Sequence, residues 1–385
     1  MDAVRPIEYW PNAVHARLSA RCQLNCAFCE RVNWKTGDLP AEPDMPGTIW
    51  KAIAEKYMPY VDGIELVGLG EPTLSAIFQM ACLDVVGAGK KLYFATNGMT
   101  LGRKWLHEVV GETPTVSVSI DAWDAESYKM IRGEPSWDAE KQWKKLLDGI
   151  RAFRAAKPKA RMHSQYTGQV ANIDGLPQFI KLAASLGIQD VTLRPVHGHA
   201  VARENVSLRY ERDRTERAID AARAEAEKAG IMFIAERPAY SKLSMKPGKR
   251  VGGVVRYLDF VPLSSATCPV SEVTSTGITT TTTTTTPNIG PPGGGFAEGA
   301  VEPVVIRSKR KLRDVEPEVV KINQPVIVAA SGECWSCFGR HVVGNVMDDD
   351  WLTLVRRPRY QEFLRNRATG QVLQDTWCRN CPRVM

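Results

Sequence analysis

Residues 14–30 read VHARLSARCQLNCAFCE. The first part, 14–20, reads as a short β-strand. Cys22, Cys26 and Cys29 follow it within eight residues, at Cys-x3-Cys-x2-Cys spacing. Three thiolates so close together can wrap one small inorganic group, and soft sulfur selects zinc, Cu(I) or iron–sulfur. Three ligands rather than four is the informative detail. A structural zinc site wants four protein ligands, whereas a [4Fe–4S] cluster held by three keeps one iron open to a substrate or cofactor.

Outward from this stretch, short β-rich runs alternate with helical patterns as far as residue 235. Strands are expected at 14–20, 63–67, 91–96, 116–120, 161–165 and 190–193, with 231–234 strand-like as well. Between them Ile49, Trp50, Ile53 and Tyr57 recur at helical spacing, as do Trp143, Leu146, Leu147, Ile150 and Phe153. Leu176, Phe179, Ile180, Ala183 and Leu186 make another stripe, closed by Gly187. Repeated β-then-α units imply an α/β fold with a parallel sheet and outer helices. Six strands are too few for a closed eight-stranded barrel, so the expected fold is a partial (β/α)6 TIM-like barrel. Ligands then belong at the carboxyl ends of the strands.

The second, third and fourth strand ends each carry a further motif. Gly68-Leu69-Gly70-Glu71-Pro72 follows the second strand, Thr96-Asn97-Gly98 the third, and Ser117-Val118-Ser119-Ile120-Asp121 closes the fourth. Tyr128, Ile131, Arg132 and Gly133 come next. With the cysteine triplet and Phe28 before its last member, this series resembles the radical S-adenosylmethionine (SAM) superfamily over roughly residues 14–235. The match to the family's Gly-Gly-Glu-Pro motif is interrupted by Leu69. The resemblance implies a [4Fe–4S] cluster on Cys22, Cys26 and Cys29, with SAM bound to its open iron. It implies Phe28 near the adenine and Gly70 and Glu71 at the methionine amino group. Asn97, Ser119, Asp121 and Arg132 become candidates around SAM, and Gln165, at the expected end of the fifth strand, a candidate toward SAM or substrate.

The remaining cysteines are Cys82, Cys268, Cys334, Cys337, Cys378 and Cys381. Cys82 sits in a helical stretch and reads as core. The other five, with Gly344-Asn345-Val346 between the two Cys-x2-Cys pairs, resemble the SPASM or twitch extension of radical SAM enzymes. Full SPASM domains usually carry about seven cysteines, so the resemblance implies one auxiliary [4Fe–4S] cluster. Its implied ligands are Cys268, Cys337, Cys378 and Cys381, with Cys334 as the alternative to Cys337. Two Cys-x2-Cys pairs also suit a structural zinc. The thiol left over, Cys334, is a structural residue or a hydrogen-atom donor.

The expected domains are therefore 1–240, the SAM-cleaving core, and 241–385, a smaller cysteine-rich α+β domain. The second is interrupted at about 279–320 by eight consecutive threonines, a Pro/Gly-rich stretch and the basic run 307–313. That basic run is either a solvated loop or a phosphate-binding patch.

Composition is that of a globular protein, 44% hydrophobic and 24% charged, with a formal charge of +7. No stretch approaches the ~20 apolar residues that cross a bilayer, and the first residues lack a signal-peptide core. A cytoplasmic location is expected, where structural disulfides are disfavoured. His197 and His199 follow the sixth strand and are candidates to orient or deprotonate a substrate.

The implied activity is reductive cleavage of SAM to a 5′-deoxyadenosyl radical, fed by an electron donor such as flavodoxin or ferredoxin. The radical then abstracts a substrate hydrogen, for oxidation or rearrangement of a small polar metabolite. Radical modification of a peptide or protein is the alternative, and a non-enzymatic iron–sulfur or zinc protein the third reading. The mildly basic balance permits RNA, but no aromatic-and-basic binding module is present.

Overall fold

The computed structural model describes residues 7–26, 28, 29, 43–133, 136–196, 206–238, 240, 305–306, 318–322, 324–336 and 342–369. Strands β1 (Ile7–Pro11) and β2 (Ala13–Arg17) open the chain. Alternating helices and strands follow. They comprise α1 (Gly47–Lys56), β3 (Gly63–Val67), α2 (Phe78–Gly87), β4 (Lys91–Thr96), α3 (Lys104–Val109), β5 (Thr115–Val118), α4 (Ala125–Arg132), α5 (Ala139–Ala156), β6 (Arg161–Gly168) and α6 (Leu176–Ser185). Then come β7 (Asp190–Pro195), α7 (Arg212–Ala229) and β8 (Met232–Ala235).

Further along the chain lie β9 (Val305–Ile306), β10 (Glu318–Ile322), β11 (Val326–Val328), β12 (Glu333–Trp335) and β13 (Val342–Asn345). Two helices, α8 (Trp351–Val355) and α9 (Pro358–Ala368), complete the set. In sequence, residues 351–367 read as one helical segment. The two helices are separate because Pro358 has no amide proton to donate and begins a new first turn.

Ten strands form one open sheet in the order β13-β12-β11-β2-β3-β4-β5-β6-β7-β8. From β11 to β8 all neighbours run parallel. The parallel run is thus two strands longer than the six expected: β8 extends one edge, and β11 pairs with β2 at the other. β1, β10 and β9 make a small separate sheet.

Alternate residues of these strands point to opposite faces. Val14, Ala16, Ile64, Leu66, Phe94 and Val116 belong to one apolar core shared with the helices. This arrangement leaves His15, Arg17, Glu65, Tyr93, Ser117 and His163 on the other face. Among the described residues no helix is long and apolar enough to cross a membrane.

Candidate active site at the strand carboxyl ends

β2 stops at Arg17, three residues before the expected end, because the backbone turns away there. Leu18 still donates to Val67 O at 2.8 Å. Ser19 Oγ and Ala20 N then donate to Asp44 Oδ1 at 2.9 and 3.0 Å, and Arg21 Nε donates to its Oδ2 at 2.6 Å. Glycine makes the next contact possible. A Cβ on Gly68 would stand 2.5 Å from Ser19 O, and one on Gly70 only 2.3 Å from Arg21 O. Gly70 N donates to Ser19 O at 2.9 Å and Glu71 N to Arg21 O at 2.6 Å. The glycines therefore seat the start of the cysteine loop directly against the end of β3.

Glu71 joins the next strand end to this platform. Its carboxylate is 2% exposed. It accepts from Thr73 N and Oγ1 (3.3 and 2.7 Å), Thr96 Oγ1 (2.8 Å) and Asn97 N (2.6 Å). Burial raises its pKa above the usual carboxylate value, while these donors pull it back. Asn97, held this way, donates from Nδ2 to Cys22 Sγ at 3.5 Å and accepts from Gln23 Nε2 at 3.3 Å.

Cys26 meets a different partner. It is buried, and Arg132 Nη1 donates to its sulfur at 3.7 Å. The guanidinium also lies 5.7 Å from the Phe28 ring centre and donates through Nη2 to Asp121 Oδ2. Asp121 is the one non-glycine residue with positive φ (58°) among the described residues. Its Oδ1 accepts from Thr167 N at 2.7 Å and its backbone carbonyl from Asn172 Nδ2 at 3.1 Å.

Burial pushes the Cys26 thiol up to about 12; Arg132 lowers it, and the charges of Cys29, Asp121 and Cys22 raise it further. Burial opposes the Arg132 charge, but Asp121 and Cys26 outweigh it and hold the guanidinium above its ordinary pKa. Cys29 N closes the loop on Cys26 O at 3.1 Å.

The structure therefore brings Cys22, Cys26, Cys29, Phe28, Gly70, Glu71, Asn97, Asp121 and Arg132 to the carboxyl edge of the sheet. Ser119 joins the same edge, its amide donating to Thr96 O at 2.9 Å. Gln165 does not end its strand. β6 runs three residues further to Gly168, paired with β7 throughout, and leaves Gln165 inside the strand on the polar face.

Cys334 is not brought to this group. It pairs in register with Val328, and so faces the helix-side core, whereas Trp335 shares the opposite face with Ile327 and His15. Tyr57 Oη lies 3.4 Å from Cys334 Sγ, and burial pushes the thiol up to about 12. Cys82 is fully buried in α2. His197, His199, Cys268, Cys337, Cys378 and Cys381 lie outside the described residues.

Solved structures with the same arrangement of elements include anSMEcpe with bound AdoMet. It aligns at TM-score 0.57 and 11% identity, over 98% of this chain and 89% of that one. A second structure of it, with AdoMet and Kp18Cys peptide, aligns at TM-score 0.57 and 12% identity, over 98% and 88%. The chain has the fold of the radical SAM enzymes. Streptococcus suis SuiB bound to precursor peptide SuiA aligns at TM-score 0.45 and 17% identity, over 59% of this chain and 49% of that one. The chain thus spans about half the length of the SuiB structures it matches. No protein-family model matches the sequence, and no curated protein matches it.

The residues at this edge of the radical SAM fold suit an iron–sulfur cluster in donor chemistry. Three soft thiols influence one another's charge, and the Cys22 and Cys26 sulfurs each receive an N–H from the protein. Among the described residues, no three His, Cys, Asp or Glu side chains converge tightly enough to hold a single metal ion.

Some of the supporting residues carry no motif in the sequence. Asp44, Thr167 and Asn172 hold the loop and Asp121 from distant positions. The polar face did leave a signal: polar residues at alternate positions in β2 and β6, where a sheet covered by helices on both faces would be apolar throughout.

Proposed function

We propose that the protein is a radical SAM enzyme. The observation that carries this reading is the cysteine loop seated on the strand ends, with Asn97 and Arg132 reaching Cys22 and Cys26. A [4Fe–4S] cluster on Cys22, Cys26 and Cys29 would supply one electron to the SAM sulfonium, giving methionine and a 5′-deoxyadenosyl radical that abstracts a substrate hydrogen atom. The chain's own part is to fix geometry and exclude solvent. Glu71 locks the ends of β3 and β4 together, so that Gly70 and Asn97 keep their places beside the loop. Phe28 offers an apolar surface for a purine ring, and Arg132 a buried cation. On this reading the parallel sheet is the partial barrel of the family, and its polar face holds the substrate.

His15 hydrogen-bonded to Glu65 (2.7 Å) and Arg17 over the Trp335 ring (5.0 Å) suit a polar substrate on that face. The primary reading is oxidation or rearrangement of a small polar metabolite. A peptide substrate is the second reading, supported by the anSMEcpe structures that hold peptides. Residues 241–385 would add one auxiliary cluster through Cys268, Cys337, Cys378 and Cys381, and a flavodoxin- or ferredoxin-like donor would supply electrons in the cytoplasm.

The test is incubation of anaerobically reconstituted protein with dithionite and SAM. 5′-Deoxyadenosine is expected. Its absence from protein that has taken up iron and sulfide would defeat the proposal. Product analysis with candidate metabolites and peptides then separates the two substrate classes.

A further inference from the structure

We propose that the buried Asp121–Arg132 pair sets the reduction potential of the cluster, acting through the guanidinium at Cys26 Sγ. The inference rests on the reading of Cys22, Cys26 and Cys29 as cluster ligands. A positive N–H donor on a ligand sulfur stabilises the electron-rich reduced form and raises the potential. Arg132 is such a donor, and it works in a buried setting where charges are weakly screened.

The guanidinium is balanced by a second charge. Nη2 donates to Asp121, whose carboxylate is fully buried and acts on the cluster in the opposite sense. Neither charge can drift. Asp121 is fixed by Thr167 N, by Asn172 Nδ2 on its carbonyl and by its left-handed backbone. Arg132 is pinned between Asp121, Cys26 and the Phe28 ring. Its Nε is buried with no hydrogen-bond partner among the described residues. A salt bridge built for stability alone gains nothing by burying that N–H unsatisfied. Asn97 adds a neutral donor to Cys22 in the same sense as Arg132. The two positioning residues therefore oppose one another: the arginine favours the reduced cluster and the aspartate restrains it.

Opposition gives a signature that a merely structural role would not produce. Potentiometric titration of reconstituted protein without SAM would be followed by electron paramagnetic resonance. The loop cluster's signal is the one lost in Cys26→Ala. Arg132→Gln is expected to make reduction about tenfold less favourable, a shift of ~59 mV to more negative potential for one electron. Asp121→Asn is expected to shift it the other way, and asparagine tolerates the left-handed backbone. Arg132→Lys should restore most of the wild-type value.

Shifts in the same direction for Arg132→Gln and Asp121→Asn, or no shift with iron content kept, would overturn the inference. If Arg132→Gln fails to load iron, Asp121→Asn decides alone: a positive shift supports the inference, and an unchanged or negative one overturns it. A wild-type protein with no reducible loop cluster would instead sink the proposed function, and the inference with it.

Discussion

The two faces of β2 show how one strand serves two purposes. On one side Val14 and Ala16 are fully buried in the core shared with the helices. On the other, His15 holds Glu65 and Arg17 lies over Trp335. The same contrast runs across the sheet and divides its cysteines. Cys26 meets a cation and two further thiols at the carboxyl edge, while Cys334 meets a tyrosine hydroxyl among apolar side chains. Chemistry thus follows from which way a side chain points, and residue type alone does not reveal it. Both thiols are pushed up by burial, yet only one has a buried guanidinium against its sulfur.

Three substitutions would break or sharpen this contrast. The largest effect is expected from Cys26→Ala, which removes one of the three loop thiolates. 5′-Deoxyadenosine formation should fall to background, as read by chromatography of the quenched reaction. Retention of wild-type turnover would place the cluster elsewhere.

The next effect concerns the polar face. Burial, reinforced by Arg161 and Arg194, pushes the His163 pKa down to about 3, and its ring stacks on Tyr93 at 5.8 Å. The folded protein therefore keeps this ring neutral where the unfolded chain takes up a proton. Stability from His163 is complete above its unfolded pKa of about 6.5 and is lost as pH falls toward 3. The slope is about 1.4 kcal/mol per pH unit. Urea midpoints between pH 7.5 and 4.5 would show it, and His163→Phe should flatten that part of the curve. Identical slopes in both proteins would remove His163 from the account.

The smallest effect is expected from Cys334→Ala. Loss of a buried sulfur and of the Tyr57 contact should cost about 1–2 kcal/mol in thermal or urea unfolding. The rate of 5′-deoxyadenosine formation should stay at the wild-type level. A fall of more than threefold would connect this thiol to the reaction.

Much of the architecture is legible in the sequence. β3 and β4 begin and end where periodicity and turn residues place them. Gly187 does take the positive φ (70°) that its place after α6 calls for. β6 escaped by three residues, because its extension depends on pairing with β7 and on Thr167 N reaching Asp121, neither of which is local. The partnership of β11 with β2 was hidden for the same reason, since three residues of Val-Ile-Val carry no record of a strand more than 300 positions away, Val326 pairing with Val14.

At the site, the cysteine spacing together with the motifs after the second, third and fourth strands pointed to the cysteine loop and to the strand ends. It did not reveal that Gly70 is pressed on Arg21, or that Asp44 anchors the turn. Those contacts join segments whose proximity exists only once the sheet has formed.

The parallel pairing of Val326–Val328 with Val14–Ala16 also has a consequence for synthesis. About 300 residues must leave the ribosome between β2 and its partner, on the order of 15–60 s at ~5–20 residues per second. Throughout that interval one margin of the nascent sheet presents unpaired amides and carbonyls, the kind of surface that invites pairing with another chain. Slow translation or a premature stop before residue 326 would prolong the exposure. Holdase chaperones that shield bare strand margins would then matter more to the yield of this protein than to its finished stability.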